Sequence, residues 1–244
     1  MQCHISSSLD GLDFKKKYNL VDYHDSSKPL VIFGMYQAYD AYLFQKHPSK
    51  VIVVWQGMDA KDCQYVGIMK SKPAKHYAIS HWIKHSLDQY GIESELLPIS
   101  ATIANLKPCK RGENIYFYSS DMSEESANYY GEFMIPEIKH ITGLNVIRAT
   151  HETYSRKELI EVYKSCFINL RLTAYDGCPN TNLEMGLMGR RSVFNGNIPH
   201  SIKWDNLYKL CDAIILEYES RHKDNKHIAA DIKKFVNLPN KLFL

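Results

Sequence analysis

Short, unbroken apolar runs recur along this chain, with helix-type segments between them. A strand wetted on one face alternates apolar and polar residues. A strand of a parallel sheet covered on both faces reads as a continuous apolar run. Leu30–Phe33 (LVIF) and Val51–Trp55 (VIVVW) are of the second kind. The same reading makes strands of His76–Ile79, Glu95–Pro98, Ile115–Ser119, Asn145–Ala149, Phe167–Leu172, Ser192–Asn195 and Ala213–Glu217. Helix starts lie between these runs. Ser80 caps a helix carrying Trp82, Ile83, Leu87 and Tyr90, with Gly91 as its stop. Ser155 with Glu158, and Thr181 with Glu184, have the spacing of capping boxes. Ser123 opens a helix toward Ile141 that Pro136 should kink or break. Strands and helices in alternation predict an α/β fold with parallel sheets.

The polar stretch Leu106–Asn114 (LKPCKRGEN) reads as a linker between two such halves. The expected organisation is a reduced Rossmann-like domain over 1–108, a second Rossmann-like domain over 109–218, and a helical tail over 219–244 with its helix around Ile228–Val236. Residues 1–28 show no clear period and read as a loosely packed lead-in.

Composition narrows the function. The chain has 244 residues, 45% apolar and 23% charged, as expected of a globular protein rather than a disordered one. Its formal net charge is +3. A dedicated duplex-binding domain carries a stronger basic footprint, so nucleic acid is not an expected partner. No apolar run approaches the roughly 18 residues that span a bilayer. Asp10, Asp13 and Lys15–Lys17 stand where a signal peptide would need its apolar region. Cys3, Cys63, Cys109, Cys166, Cys178 and Cys211 include no C-x-x-C pair, so they read as reduced thiols of a cytoplasmic protein.

The segment Ile168–Asn195 (INLRLTAYDGCPNTNLEMGLMGRRSVFN) carries the chemistry. It reads strand, loop, helix, strand. The loop Thr173–Asn180 follows the carboxyl end of a strand, where open α/β sheets bind ligands. The next helix offers first-turn N–H groups and a partial positive charge to an anion. Asp176 in the loop and Glu184 in the first turn of that helix can face one crevice.

This D-x7-E arrangement, ahead of Met-Gly-Arg-Arg, resembles the E-x7-E motif of GT-B glycosyltransferases, closest to the retaining family 4 type. Arg156–Leu172 resembles that family's helix leading into the strand of the site. His76–Ile92 resembles its strand, Ser, helix, Tyr-Gly segment. Val51–Ala60 resembles its strand followed by H-G-x-D, with Gln56 in place of the His. The resemblance implies two Rossmann-like halves and transfer of a sugar from a nucleotide sugar to an acceptor hydroxyl, with retention and without an essential metal or other cofactor. It places Asp176 at the sugar, Glu184 at the ribose, and Asn180 and Thr181 near the phosphates, with Thr173 and Gly177 in the same donor loop. Gly57, Asp59 and Ser80 fall on the acceptor side. The family's Gly-rich opening loop is absent, and the first half is short by one or two β-α units. The Arg and Lys that usually neutralise the diphosphate are replaced by SSDMSEES (Ser119–Ser126). Arg171 is the local substitute, through a fork of N–H donors.

Each of these residues also has a plainer reading. Glu184 can serve only as the capping partner of Thr181. Asp176-Gly177, and Gly57 with Asp59, can be turns. Arg171 can be a surface ion pair, and Ser80 only a helix cap. His81 and His85 have a zinc-compatible i, i+4 spacing but no third ligand, and read as a wet helix face. His151-Glu152 reads as loop. Lys15–Lys17 and the basic residues of 221–226 read as solvated surface. Tyr129 and Tyr130 do not by themselves make a base-stacking platform. Two other functions stay open: a non-catalytic nucleotide-sugar-binding or scaffold protein, and sugar transfer to a modified nucleic-acid base. The acceptor (glycan, lipid or protein) and a homo-oligomer or partner chain are also left open.

Overall fold

The computed structural model describes residues 1–9, 14–61, 64–99, 106–121, 123–150, 152–173 and 176–237. Cys63 and His151 lie outside the described residues. The chain divides into two compact units. Unit 1 comprises Met1–Ile103, Asp176–Cys178 and Val236–Leu244, and unit 2 comprises Ala104–Tyr175 and Pro179–Phe235.

Unit 1 is built on a six-stranded parallel sheet. Its strands are β1 (Gln2–Ile5), β2 (Val21–Asp22), β3 (Leu30–Phe33), β4 (Val51–Trp55), β5 (Lys75–Ala78) and β6 (Glu95–Leu96), in the order β2-β1-β3-β4-β5-β6. The helices are α1 (Phe14–Tyr18), α2 (Ala38–Lys46), α3 (Met58–Lys61), α4 (Val66–Met69) and α5 (His81–Gln89). All nine residues of β3 and β4 are buried, as their unbroken apolar runs require. Ser80 caps α5 as expected, its hydroxyl accepting from Ile83 N at 3.2 Å.

The first 28 residues are not a loose lead-in. β1 pairs along its whole length with β3, inside the sheet. The sequence hides this because β1 carries polar residues whose partners are distant. The buried Gln2 amide donates to the carbonyls of Asp25 and Lys28 and accepts from His24 N and Asp25 N. His4 reaches Asp40 at 2.6 Å. The first half, expected to be the reduced one, thus carries six strands, two of them only two residues long.

Unit 2 holds a four-stranded parallel sheet of β7 (Asn114–Tyr118), β8 (Val146–Ala149), β9 (Cys166–Leu170) and β10 (Arg191–Val193), in the order β10-β9-β7-β8. Its helices are α6 (Glu124–Tyr130), α7 (Ile135–Thr142), α8 (Arg156–Ser165), α9 (Asn180–Leu187), α10 (Leu207–Glu219) and α11 (Lys226–Asn237). β8 and β9 leave β7 on opposite sides, so the topological switch point lies between β7 and β9.

Three expectations for this half are corrected. Ala213–Glu217 is not a strand but the last turns of α10. Its buried residues Leu210, Cys211, Ile214 and Glu217 fall at helical spacing, and the short run AIILE alone does not reveal that period. The break after Ser123 comes at Gly131, not Pro136. Gly131 has φ +74° and ends α6, and a Cβ there would lie 3.0 Å from Leu172 Cβ. Pro136 sits in the first turn of α7, where its missing N–H costs nothing. Lastly, the supposed linker Leu106–Asn114 is bound into unit 2. Gly112 N donates to Cys166 O, and a Cβ at Gly112 would stand 2.0 Å from Ser165 O. The buried Arg111 donates to the Glu217 carboxylate and the Arg221 carbonyl.

Arg190 is the polar fastener of this unit. It lies beyond the end of α9, only 1% exposed. Its guanidinium donates to the carbonyls of Cys166, Cys109, Lys110, Lys164 and Met188. Lysine has too few donors, in the wrong geometry, to serve all five. Arg190→Lys is therefore expected to lower the unfolding free energy by about 2–4 kcal/mol, measured by chemical denaturation. A loss well under 1 kcal/mol would contradict this role.

Candidate functional site

The carboxyl edge of the second sheet, at its switch point, gathers most of the expected donor residues. Arg171 follows β9 and continues the ladder, its N–H donating to Val193 O at 3.0 Å. It is not a surface residue, being 8% exposed. Its guanidinium carbon lies 5.1 Å from the Tyr118 ring centre and 4.6 Å from that of Tyr130. The two rings therefore hold the cation by its faces.

Among the described residues, four buried side-chain atoms around the end of β9 and the start of α9 have no hydrogen-bond partner. They are Asn169 Oδ1, Thr173 Oγ1, Thr181 Oγ1 and Asn182 Nδ2. Asn169 Nδ2 donates to Asn182 Oδ1 at 2.6 Å and to Ser192 Oγ at 3.0 Å. Turning both amides over exchanges the donor with the acceptor and still leaves one of each unmet. Buried polar atoms are almost always paired, because each unmet one costs the desolvation free energy of the group. Such a cluster beside first-turn helix amides suits a polar, anionic ligand.

Thr181 and Glu184 do not form the expected capping box. Pro179 occupies the N-cap position of α9, and no side chain caps that end. Glu184 turns to α8 instead. Tyr163 Oη donates to its Oε2 at 2.9 Å, and Arg156 Nη1 lies 2.8 Å from its Oε1. Glu184 is 6% exposed and Tyr163 fully buried, whereas the Arg156 side chain is half exposed. Burial, with the Glu184 charge beside it, holds the Tyr163 phenol far above its ordinary pKa, so it stays a donor. Tyr116 braces the Tyr163 ring edge-on at 5.1 Å. The sequence reading missed Arg156 and Tyr163. Their seven-residue spacing, two turns on one helix face, is the signal that was there to be read.

The expected acceptor-side residues lie in unit 1. Asp59 is buried with its carboxylate turned inward. It accepts from Met35 N at 3.0 Å, Gly57 N at 2.7 Å and Gln56 N at 3.1 Å, tying the ends of β3 and β4 together. Asp40 does the same one strand over, accepting from Tyr36 N, Gln37 N and Ser6 Oγ besides His4. Burial raises the Asp40 pKa, and the hydrogen bonds from His4, Ser6 and Gln37 outweigh it, leaving the net shift downward. Ser80 is occupied as the cap of α5. Asp176 and Gly177 belong to the short segment that clusters with unit 1, and Gly177 lies against Ile83, Ile79 and the Gln56 carbonyl. Glu184, Arg171, Thr173, Asn180 and Thr181 belong to unit 2. On α5, His85 meets Gln89 at 3.2 Å.

Neither a scan of protein-family models nor a search of curated proteins finds a match to this chain. Solved structures do match. A TarM mutant from S. aureus, in complex with fondaparinux, α-GlcNAc-glycerol and UDP, superposes with a TM-score of 0.57 at 12% identity. The match covers 90% of this chain and 54% of that one. Sucrose-phosphate synthase from Thermosynechococcus elongatus gives a TM-score of 0.54 at 12% identity, over 94% of this chain and 75% of that one. The chain spans about half the length of TarM. These likenesses show the fold: two Rossmann-like parallel-sheet halves, as in GT-B glycosyltransferases. Among the described residues, no helix is long and apolar enough to cross a membrane.

Asp59 generates a pH prediction. Burial pushes its pKa up from 3.8 to about 6, against the pull of the backbone N–H groups of Gly57, Met35 and Gln56. Between those two values the folded chain keeps a proton that the unfolded chain has released. The Asp59 contribution to stability is therefore largest below the lower value and falls as pH rises to about 6, by roughly 1 kcal/mol per pH unit. Asp59→Asn removes that slope. The wild-type minus variant difference in unfolding free energy should shrink between about pH 4 and pH 7. A difference that stays flat or grows contradicts the assignment.

Proposed function

We propose that this protein is a glycosyltransferase that moves a sugar from a nucleotide-sugar donor to an acceptor hydroxyl, with unit 2 as the donor-binding half. The observation that carries the reading is the cluster of unmet buried polar atoms where β9 ends and α9 begins, at the switch point of a GT-B-type sheet. The diphosphate lies against the first turn of α9, near Thr173, Asn180 and Thr181. The ribose hydroxyls donate to Glu184. Tyr163 keeps hold of Oε2, while the half-exposed Arg156 gives up Oε1 to the ribose and turns toward the leaving phosphate. The UDP-bound TarM structure supports a nucleoside diphosphate in this role, and its α-GlcNAc-glycerol supports a glycoside product.

In the reaction, the bond from the anomeric carbon to the phosphate oxygen breaks. A bond to the acceptor oxygen forms, and the acceptor proton passes to the departing diphosphate. Negative charge develops on that diphosphate, and fixed N–H dipoles at a helix start need no reorganisation to stabilise it. Asp176 meets the sugar, Gly177 lies beside it in the same loop, and Gly57, Asp59 and Ser80 shape the acceptor side. Configuration is retained and no resident metal takes part.

A second reading, donor binding without turnover, is favoured by SSDMSEES (Ser119–Ser126), which carries no Lys or Arg where the resembled family places the cations of its diphosphate. Release of nucleoside diphosphate from the bound donor separates the two.

Thermal unfolding against a panel of nucleotide sugars tests the reading. A donor at about 100 times its Kd adds roughly 2.7 kcal/mol, or about 5–10 °C for a chain of this size. Glu184→Gln keeps an oxygen for Tyr163 but loses the charge offered to the ribose, and should abolish most of that shift. No shift with any donor, or an equal shift in Glu184→Gln, would overturn the proposal.

A further inference from the structure

Helix α9, which carries Glu184, is enclosed on all sides. Every residue from Asn182 to Leu187 is buried. Met185 packs in one cluster with Tyr116 and Tyr163. Gly186 meets α11. The buried residues Ile228, Ala229 and Ile232 form the apolar stripe of that helix, and Ile232 is only 1% exposed. A Cβ at Gly186 would stand 2.8 Å from Ile232 Cγ1, 3.2 Å from its Cδ1 and 3.4 Å from its Cγ2. Glycine is a poor residue for a helix interior. Its place here follows from the close approach of Ile232, which leaves no room for a methyl group. Ile232 does not give way easily, because its branched Cβ holds χ1 in one rotamer within a helix.

α11 is fastened at two further points. Asn225, just ahead of it, donates through Nδ2 to Cys109 O at 3.0 Å and lies against Gly189, whose φ is +85°. His200 Nε2 lies 2.8 Å from the exposed Asp231 carboxylate.

These contacts have a direction. Successive residues of an α-helix are about 100° apart, so Gly186 lies about 200° round α9 from Glu184. The two stand on nearly opposite faces. On one, Ile232 presses on bare backbone; on the other, Tyr163 Oη donates to Glu184 Oε2 at 2.9 Å. α9 is thus gripped between α11 and α8. Bulk added on the α11 side pushes Glu184 from its place against Tyr163.

We propose that Ile232 is a positioning residue: seated on the bare face of Gly186, it holds α9 where Glu184 meets Tyr163. That Glu184 then serves a nucleotide rests on the donor reading above; the positioning itself does not.

A mutant cycle on the full chain tests it. Tyr163→Phe removes the hydrogen bond to Glu184, and its cost in unfolding free energy measures that bond. The cost should fall to less than half in a Gly186→Ala background. It should return when Ile232→Ala is added, since that truncation makes room for the added methyl. Cys211→Ala, at a buried residue of α10 in the same unit, should lower stability and leave the Tyr163→Phe cost unchanged. A contact that only adds stability gives the same Tyr163→Phe cost in every background. If Gly186→Ala does not fold, Ile232→Ala alone, which loosens α9, should also reduce the cost. In parallel, Kd is measured for UDP-glucose, UDP-N-acetylglucosamine and GDP-mannose. Any that binds the wild type should bind Gly186→Ala roughly tenfold more weakly and recover in the double variant. A Tyr163→Phe cost that is equal in the wild type, Gly186→Ala and Ile232→Ala overturns the inference, whatever the nucleotides do. No nucleotide binding by the wild type, with the cycle as expected, overturns the donor reading and supports the positioning.

Discussion

A parallel sheet sends the carboxyl ends of all its strands to one edge, where the chain leaves the ladder and its N–H groups must find new partners. The two halves of this protein meet that demand differently. In unit 1, buried carboxylates close the edge: Asp40 gathers the ends of β1 and β3, and Asp59 those of β3 and β4. Each accepts several hydrogen bonds, so the carboxylate is bound into the backbone. In unit 2 the corresponding edge is left chemically open. Asn169, Thr173, Thr181 and Asn182 keep unmet polar atoms there, and no side chain caps the helix that starts beside them. A folded chain tolerates unmet groups of this kind where a ligand uses them.

That contrast gives the two carboxylates of the D-x7-E segment different standing. Glu184 is held by a buried phenol on one oxygen and a half-exposed guanidinium on the other. Tyr163 fixes its direction, and the Arg156 contact is the exchangeable one. A carboxylate oriented on one side and yielding on the other is well placed to accept from a pair of vicinal hydroxyls. Asp176 lies in a three-residue segment that clusters with the other unit, so the two acids rest on separately packed supports.

Much of the scaffold was legible because burial on both faces leaves a plain trace. LVIF and VIVVW are strands for the reason their composition suggests, and Ser80 and Ser155 cap the helices they precede. Misreadings arose where a residue's partner is far away in sequence. β1 looked patternless because Gln2 and His4 are satisfied by groups more than 20 residues on. The run AIILE of α10 fits either period until Leu210 and Glu217 fix its face. Thr181 and Glu184 have capping-box spacing, but Tyr163, 21 residues upstream, claims the carboxylate. Arg171 read as a phosphate partner or a surface ion pair, and Arg190 drew no reading beyond its place in Met-Gly-Arg-Arg. One is stacked between tyrosines, and the other donates to the carbonyls of five residues. Positions were recoverable from pattern, whereas side-chain commitments were not, because local spacing carries no information about long-range partners.

The central claim is that the donor nucleotide sits where β9 ends and α9 begins. Hydrogen exchange read by mass spectrometry, with and without a saturating nucleotide sugar, tests it most directly. The account predicts slowed exchange in peptides covering the start of α8 and the stretch from the end of β9 through α9. Protection that falls elsewhere and leaves those peptides unchanged would contradict it.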